Sequence, residues 1–393
     1  MATRIFATIK PEILVWARTS AGFSLDAAAA SLKYSFETMA QWEQGDGAPS
    51  IPQLRSIAAL YKRPLAVFYL QEVPLKFQVL SDLRRVRSGE DLAFSPALTQ
   101  EIRAAQQRRS LAQELTAALE EQNESFHFRI GAVSPDEAGE AIRQFLGLRI
   151  DQIQQFGKDP TGRVAFNTWR GAIEDAGVLV FQSSRMPQAE ASGFALAYDE
   201  MPVVVVNRKD APQRRLFSLL HEFAHVALRE SGVSDLRIDR DQIVDGGDVE
   251  MRCNNIAASA LMPVDAMNVE YQAAIADQGG LTDAAILRIA RRFGVSRPAL
   301  LLRLVRLGRA SWDFYFEKDA QYKAEYESER ANRKPAPPMK RNIPQESLSD
   351  LGRPFIGLVL DNFHQRNITL GDVAGYLGVR VKHVETIEHR LAN

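Results

Sequence analysis

The chain has 393 residues with 48 Lys and Arg against 49 Asp and Glu, a formal net charge of -1, so it is too long for one ordinary core and too evenly charged for a general polyanion binder. Hydrophobic residues at 46% and charged residues at 25% exclude wholesale disorder, collagen-like repeats and a coiled coil. No apolar run approaches the roughly 18 residues that cross a bilayer, and Arg4, Lys10 and Glu12 interrupt any signal-like start. A cytoplasmic location is the expectation. The single cysteine, Cys253, permits neither an internal disulfide nor a thiolate zinc finger, so nitrogen and oxygen must do most of the holding of any metal.

Residues 10 to about 70 read as short helices with apolar spacing of three and four. Ser24 caps a helix Leu25–Leu32, a turn follows at Lys33 and Tyr34, and Ser35 caps a second helix through Gln41, Trp42 and Gln44. Gly45, Asp46, Gly47, Ala48 and Pro49 stop it, and another helix begins at Ile51. With Trp42, Glu43, Gln44 and Gly45 closing the second helix, the stretch resembles the N-terminal domain of the phage-repressor-like (XRE, Cro/cI-type) regulators. The resemblance implies a five-helix DNA-binding module. Its second helix departs from that pattern, because it carries Glu37 and Glu43 and no Lys or Arg, where groove-reading helices bring basic or amide side chains to DNA. Gln41 and Gln44 are the leading DNA-contact candidates, with Ser35 and Thr38 behind them. A structural or protein-docking use of the module is the competing reading.

Arg84, Arg85 and Arg87 read as a solvated basic face, and a long helix is predicted from about Ser95 to Glu121. A further helix runs from Ser134 to Leu146, leading into Trp169–Ala176. Val178–Gln182, Gly193–Tyr198 and Pro202–Asn207 then read as strands, the last two joined by a turn at Asp199 and Glu200. Gly193–Tyr198 could offer a free edge to an extended peptide; plain sheet structure is the other reading, and the two are compatible. Helices return from Gln213 to Gly308. Ala331–Pro344 reads as a linker, and Leu348–Leu391 forms a small helical tail.

The chemistry concentrates at His221, Glu222, Phe223, Ala224 and His225, an H-E-x-x-H sequence inside a helical pattern. Four-residue spacing sets both imidazoles on one side of a helix, one turn apart, where both can bind a single ion. Glu222 lies beside the open side of that ion, placed to take a proton from water. A catalytic zinc wants a third ligand, and Asp239, Asp241, Asp245, Asp248 and Glu250 all follow. The first four lie in a polar, glycine-containing stretch that reads as a loop, whereas Glu250 opens a helix ending at Pro263. Asn254, four residues on, is placed to hold the Glu250 carboxylate or to pack between helices. Cys253 reads as buried packing. Tyr198, His127, Asn254 and Asn255 are the candidates for stabilising an oxyanion.

Together, H-E-x-x-H and the later series Glu250, Cys253, Asn254, Ile256, Ala257, Ala258, Ala260, Leu261, Met262 and Pro263 resemble the ImmA/IrrE metallo-endopeptidases. The resemblance implies Zn2+ held by His221, His225 and Glu250, with Glu222 as general base. It also implies a protein substrate, a repressor or antitoxin, in stress response or mobile-element regulation. DNA binding through the N-terminal module and homodimer formation stay open; no membrane partner is expected. The alternative is a DNA-binding regulator or antitoxin whose protease-like domain senses a ligand or partner without cutting.

The expected fold is mainly α with a small β-sheet (α+β). It comprises an XRE-type domain over 1–75 and a zincin-like metallopeptidase domain over 76–310, with a helical connector at 76–130. A helical extension and linker cover 311–346, and a small helical region 347–393.

Overall fold

A computed structural model describes residues 5–74, 94–122, 125–159, 161–234, 249–332 and 341–392. Two compact units emerge: Met1–Gln107 with Arg185–Pro187, and Arg108–Ser184 with Gln188–Asn393. Arg84, Arg85, Arg87, Asp239, Asp241, Asp245 and Asp248 lie outside the described residues.

In the first unit, α1 (Pro11–Ser20), α2 (Leu25–Leu32), α3 (Phe36–Gln44) and α4 (Ile51–Leu60) precede a 3-10 turn at Leu65–Tyr69. The expected fifth helix of the module is thus a single 3-10 turn. The serine caps form as read: Ser24 Oγ accepts from Ala27 N at 3.2 Å, and Ser35 Oγ from Thr38 N at 3.2 Å. Lys33, in the left-handed region at φ 60, ends α2 and turns the chain into α3. Ile13, Leu14, Met39, Trp42, Leu54, Ile57, Tyr61 and Phe68 form the core. The Arg18 guanidinium grips Glu43 through two hydrogen bonds of 2.7 and 2.8 Å, tying α1 to α3.

The second unit is mainly helical around one four-stranded sheet. The long helix α5 (Pro96–Ala118) contributes its C-terminal half. Next come α6 (Pro135–Phe145), the short α7 (Ile150–Ile153) and α8 (Arg163–Asp175), then strands β1 (Leu179–Ser183), β2 (Gly193–Leu196) and β3 (Val203–Asn207). The helix α9 (Pro212–Leu228), the strand β4 (Gly232–Ser234) and the helix α10 (Val249–Leu261) follow. After them run α11 (Val264–Gln278), α12 (Asp283–Arg292), α13 (Arg297–Arg306) and α14 (Trp312–Asn332). Finally come α15 (Ile343–Leu351), α16 (Arg353–His364), α17 (Leu370–Tyr376) and α18 (Val384–Ala392).

The strands lie in the order β1-β3-β2-β4. β3 pairs parallel with β1 and antiparallel with β2, and β2 pairs antiparallel with β4, setting Gly193 opposite Ser234 and Ala195 opposite Gly232. The valine run of β3 is buried on both faces, as a central strand requires. Two sequence expectations change here. β2 has no free edge, because β4 occupies the side away from β3. Within the expected linker, α14 persists to Asn332 and α15 already starts at Ile343, where the Asn342 side chain accepts from Gln345 N at 3.3 Å.

The C-terminal helices pack on the outer edge of the sheet. Arg170, held at 2.8 Å by Glu174, donates to Val180 O on β1 and to Ser349 O on α15, both at 2.7 Å. Gln182 adds a second bond to Ser349 O at 2.7 Å, and Phe355 meets Phe181 edge-on.

α10 is fastened at its C-terminal end. Arg143 donates to Ser259 O at 2.8 Å, Arg303 Nε to Met262 O at 3.1 Å, and the Arg303 guanidinium pairs with Asp136, which accepts from Ser259 Oγ at 2.9 Å. These donors satisfy carbonyls that a helix end leaves open. Gly139 lets α6 lie directly on α10, since a Cβ there would stand 2.6 Å from Ala260 N. Gly139→Ala is therefore expected to destabilise the chain by about 1–3 kcal/mol through overpacking, despite the better helix propensity of alanine. Thermal unfolding measures this as a lowered Tm.

Candidate metal centre

Pro212 at the first turn and the left-handed Arg229 at the end frame α9. Between them every residue from Leu216 to Ala227 is buried, so the helix is enclosed on all sides, and its polar residues need partners inside the protein. Leu219, Leu220, Phe223 and Ala224 fill the core against β2, β3, α8 and α10. Phe128 stacks on Phe223 at 6.1 Å and on Phe145 at 4.3 Å, bracing the middle of α9.

One turn apart, His221 and His225 bring their Nε2 atoms to 3.1 Å. Glu250, in the first turn of α10, completes the group: Oε2 lies 3.1 Å from His221 Nε2 and Oε1 lies 3.2 Å from His225 Nε2. These are the three residues of the described chain whose ligand atoms converge on a metal-sized space. Asn254 does not hold Glu250, as one sequence reading had it. Its Oδ1 faces His221 Nδ1 at 2.9 Å, so Nδ1 carries the proton and Nε2 presents a lone pair to the group.

Lone pairs on two imidazoles and a carboxylate, gathered at 3.1–3.2 Å, repel one another unless a proton or a cation stands among them. Tetrahedral ligands about 2.0–2.1 Å from zinc would stand about 3.3 Å apart. The donor set therefore fits a divalent ion, and its mixed nitrogen and oxygen chemistry suits zinc.

Electrostatics agree. Burial drives the His221 pKa below its ordinary value despite the opposing Glu250, keeping the imidazole neutral as a ligand must be. Burial works to raise Glu250, but the facing histidines outweigh it and hold that carboxyl well below the usual range. Glu222 goes the other way: burial first, then the charge of Glu250, pushes its pKa well above that of an ordinary glutamate, and the Ser234 hydroxyl opposes them only weakly. Neither Glu222 oxygen makes a full hydrogen bond among the described residues. Its seat depends on Gly193 of β2, where a Cβ would lie 2.9 Å from Glu222 Oε1 and 2.8 Å from Val205 O. Gly193 was not read as a site residue, because only the fold brings β2 against α9.

Ser234, also unread from the sequence, sets its Oγ 3.0 Å from His221 Nε2. The remaining candidates separate. Cys253 is buried, and burial raises its thiol far above the ordinary value, a packing residue with no thiolate. Tyr198 lies under the Arg109 guanidinium at 3.8 Å, His127 is exposed, and Asn254 is committed to His221.

In the first unit Gln41 and Gln44 are exposed on α3 beside Phe36 and Glu37. Ser35 and Thr38 are joined in the helix cap, their hydroxyls 3.0 Å apart.

Replacing Asn254 by Leu removes the acceptor at His221 Nδ1 while keeping the side-chain shape. The expected outcome is a metal dissociation constant raised about 10–100-fold, measured by chelator competition, with the fold retained.

Residues 173–305, which include α9 and α10, match the model of the peptidase M78 family, described as an IrrE N-terminal-like domain. The chain is also 32% identical over 124 residues to the radiation response metalloprotease IrrE of Deinococcus deserti. That similarity covers 30% of this chain and 41% of the relative, so the chain spans about two fifths of the curated protein it matches. Among the described residues no helix is long and apolar enough to cross a membrane. Residues 173–305, with α9 and α10 among them, are thus similar to a metallopeptidase-type domain.

Proposed function

We propose that the chain is a zinc-dependent endopeptidase of the cytoplasm that cleaves a protein regulator, a repressor or antitoxin, and so controls gene expression in stress response or mobile-element regulation. The observation that carries this reading is the convergence of His221, His225 and Glu250 beside a buried Glu222 with raised proton affinity.

His221, His225 and Glu250 would hold the ion. When bound, zinc lowers the pKa of a water molecule and polarises a carbonyl. Glu222 supplies the proton transfers: its carboxylate takes a proton from the attacking water and delivers it to the departing amine nitrogen. High proton affinity suits the first transfer, and its neutral acid suits the second. Gly193 gives the carboxylate its room, and Asn254 fixes the His221 tautomer.

The N-terminal unit serves recognition in this reading. Gln41 and Gln44 are the exposed amides with which α3 would read base edges, and Ser35 and Thr38 would act through the capped turn. Arg18 neutralises Glu43, and the exposed Glu37 repels phosphates rather than attracting them, so recognition of a regulator protein is the competing use of the same helix.

Glu222→Gln keeps the ligand set and removes the base. Cleavage is expected to fall by about 100- to 10,000-fold with zinc content unchanged. Proteomes of cells carrying wild type and Glu222→Gln are expected to differ in one or a few proteins, cut only with the wild type. Identical proteomes, with zinc bound in both, overturn the reading in favour of a regulator that cuts nothing.

A further inference from the structure

A peptide cleaved at this centre must reach atoms that are enclosed. His221, Glu222 and His225 are fully buried, and so is Ser234, whereas Glu250 keeps 24% of its side chain exposed. The element that reaches His221 from the sheet is β4. It is three residues long, buried throughout, and paired antiparallel with β2 on the edge where an extended chain would otherwise add to the sheet. Its ends are tied by Ser192 N donating to Ser234 O and Ala197 N donating to Ser231 Oγ, both at 2.9 Å. Its last side chain points inward, setting the Ser234 hydroxyl 3.0 Å from the His221 nitrogen that also faces Glu250 and His225.

β4 thus does two things that a bound substrate would do. It uses the backbone edge of β2, and it puts an oxygen at the histidine pair. We propose that β4 is an internal stand-in for substrate, an autoinhibitory strap that keeps the centre closed until an extended segment of an unfolded or loop-bearing protein takes its place on β2. This inference rests on the peptidase reading given above. A strap of three residues is suited to exchange, because the incoming strand remakes the few ladder bonds that the departing strand gives up. Ser234 holds the closed position; it is a positioning residue and takes no part in the chemistry.

A reversible lock tests the strap. Ala195 and Gly232 stand directly opposite each other in the β2–β4 register, and cross-strand partners lie about 4.5–5.5 Å apart, within disulfide range. In the full-length Ala195→Cys, Gly232→Cys protein, freed of metal, carbethoxylation of His221 and His225 by diethylpyrocarbonate is followed by peptide mass spectrometry. Exposed His127 serves as the internal control. Oxidation is expected to slow modification of the buried pair at least about 10-fold relative to the same protein reduced, leaving His127 unchanged. Val233→Pro, which weakens the strand pairing, is expected to speed it by a similar factor.

Equal rates in the oxidised and reduced forms overturn the strap. The zinc-loaded forms are then given labelled, unfolded casein: cleavage by the reduced form alone supports both proposals, and equal cleavage by both forms overturns the strap. Protection by the lock with casein uncut in either form leaves the strap standing and counts against the peptidase.

Discussion

The constraint on which the second unit depends is the burial of α9 on every side. A helix enclosed this way is stable when it is apolar throughout, yet this one carries Ser218, His221, Glu222 and His225 in its middle turns. Ser218 turns its hydroxyl back to Arg214 O at 3.1 Å, a local solution open to serine. The histidines have no such local solution and must be met from other elements, which is what Glu250, Asn254 and Ser234 do. Two exceptions remain among the described residues: the Nδ1 of His225, and Glu222, a fully enclosed acid without a full hydrogen bond. Such a group costs stability, and its retention at a cluster of ligand atoms is what a chemical role would explain.

Placement of Glu250 is settled far from Glu250. α10 is clamped at its opposite end by Arg143, Arg303 and Asp136, and α6 lies against it through the bare Cα of Gly139. Small residues along α10, Ala257, Ala258 and Ala260, are buried in the shared core and allow the close approach that brings a carboxylate to the histidines of another helix. A rigid rod fixed at one end carries its other end with it.

Much of this was legible beforehand. The period of α9, the spacing of His221 and His225, the caps at Ser24 and Ser35 and the three longer strands follow from local rules, and the structure has them within a few residues. Spacing alone left several acids open; Glu250 stood apart because it opens a helix while the aspartates lie in a loop-like stretch, and resemblance to a known helix pattern then implied it as the ligand. What escaped was tertiary. β4, with the sequence Gly-Val-Ser, is too short to show alternation, so β2 was expected to keep a free edge. Asn254 was set beside Glu250 because four residues separate them along one helix, whereas its partner, His221, comes from another. Gly193 carried no local signal at all; the reason for its missing side chain is the carboxylate of Glu222, 29 residues further along the chain.

The opposite border of the sheet has its own guard. There the Val180 carbonyl is occupied by Arg170, and α15 is tied to β1 by Gln182 donating to Ser349 O and to the end of β3 by Arg208 pairing with Asp350. Unguarded strand borders invite pairing between molecules. A chain nicked before α15 would bare that border together with Phe181, and it would be prone to assemble edge to edge into insoluble material even with its metal ligands intact. The last fifty residues thereby protect solubility as well as shape.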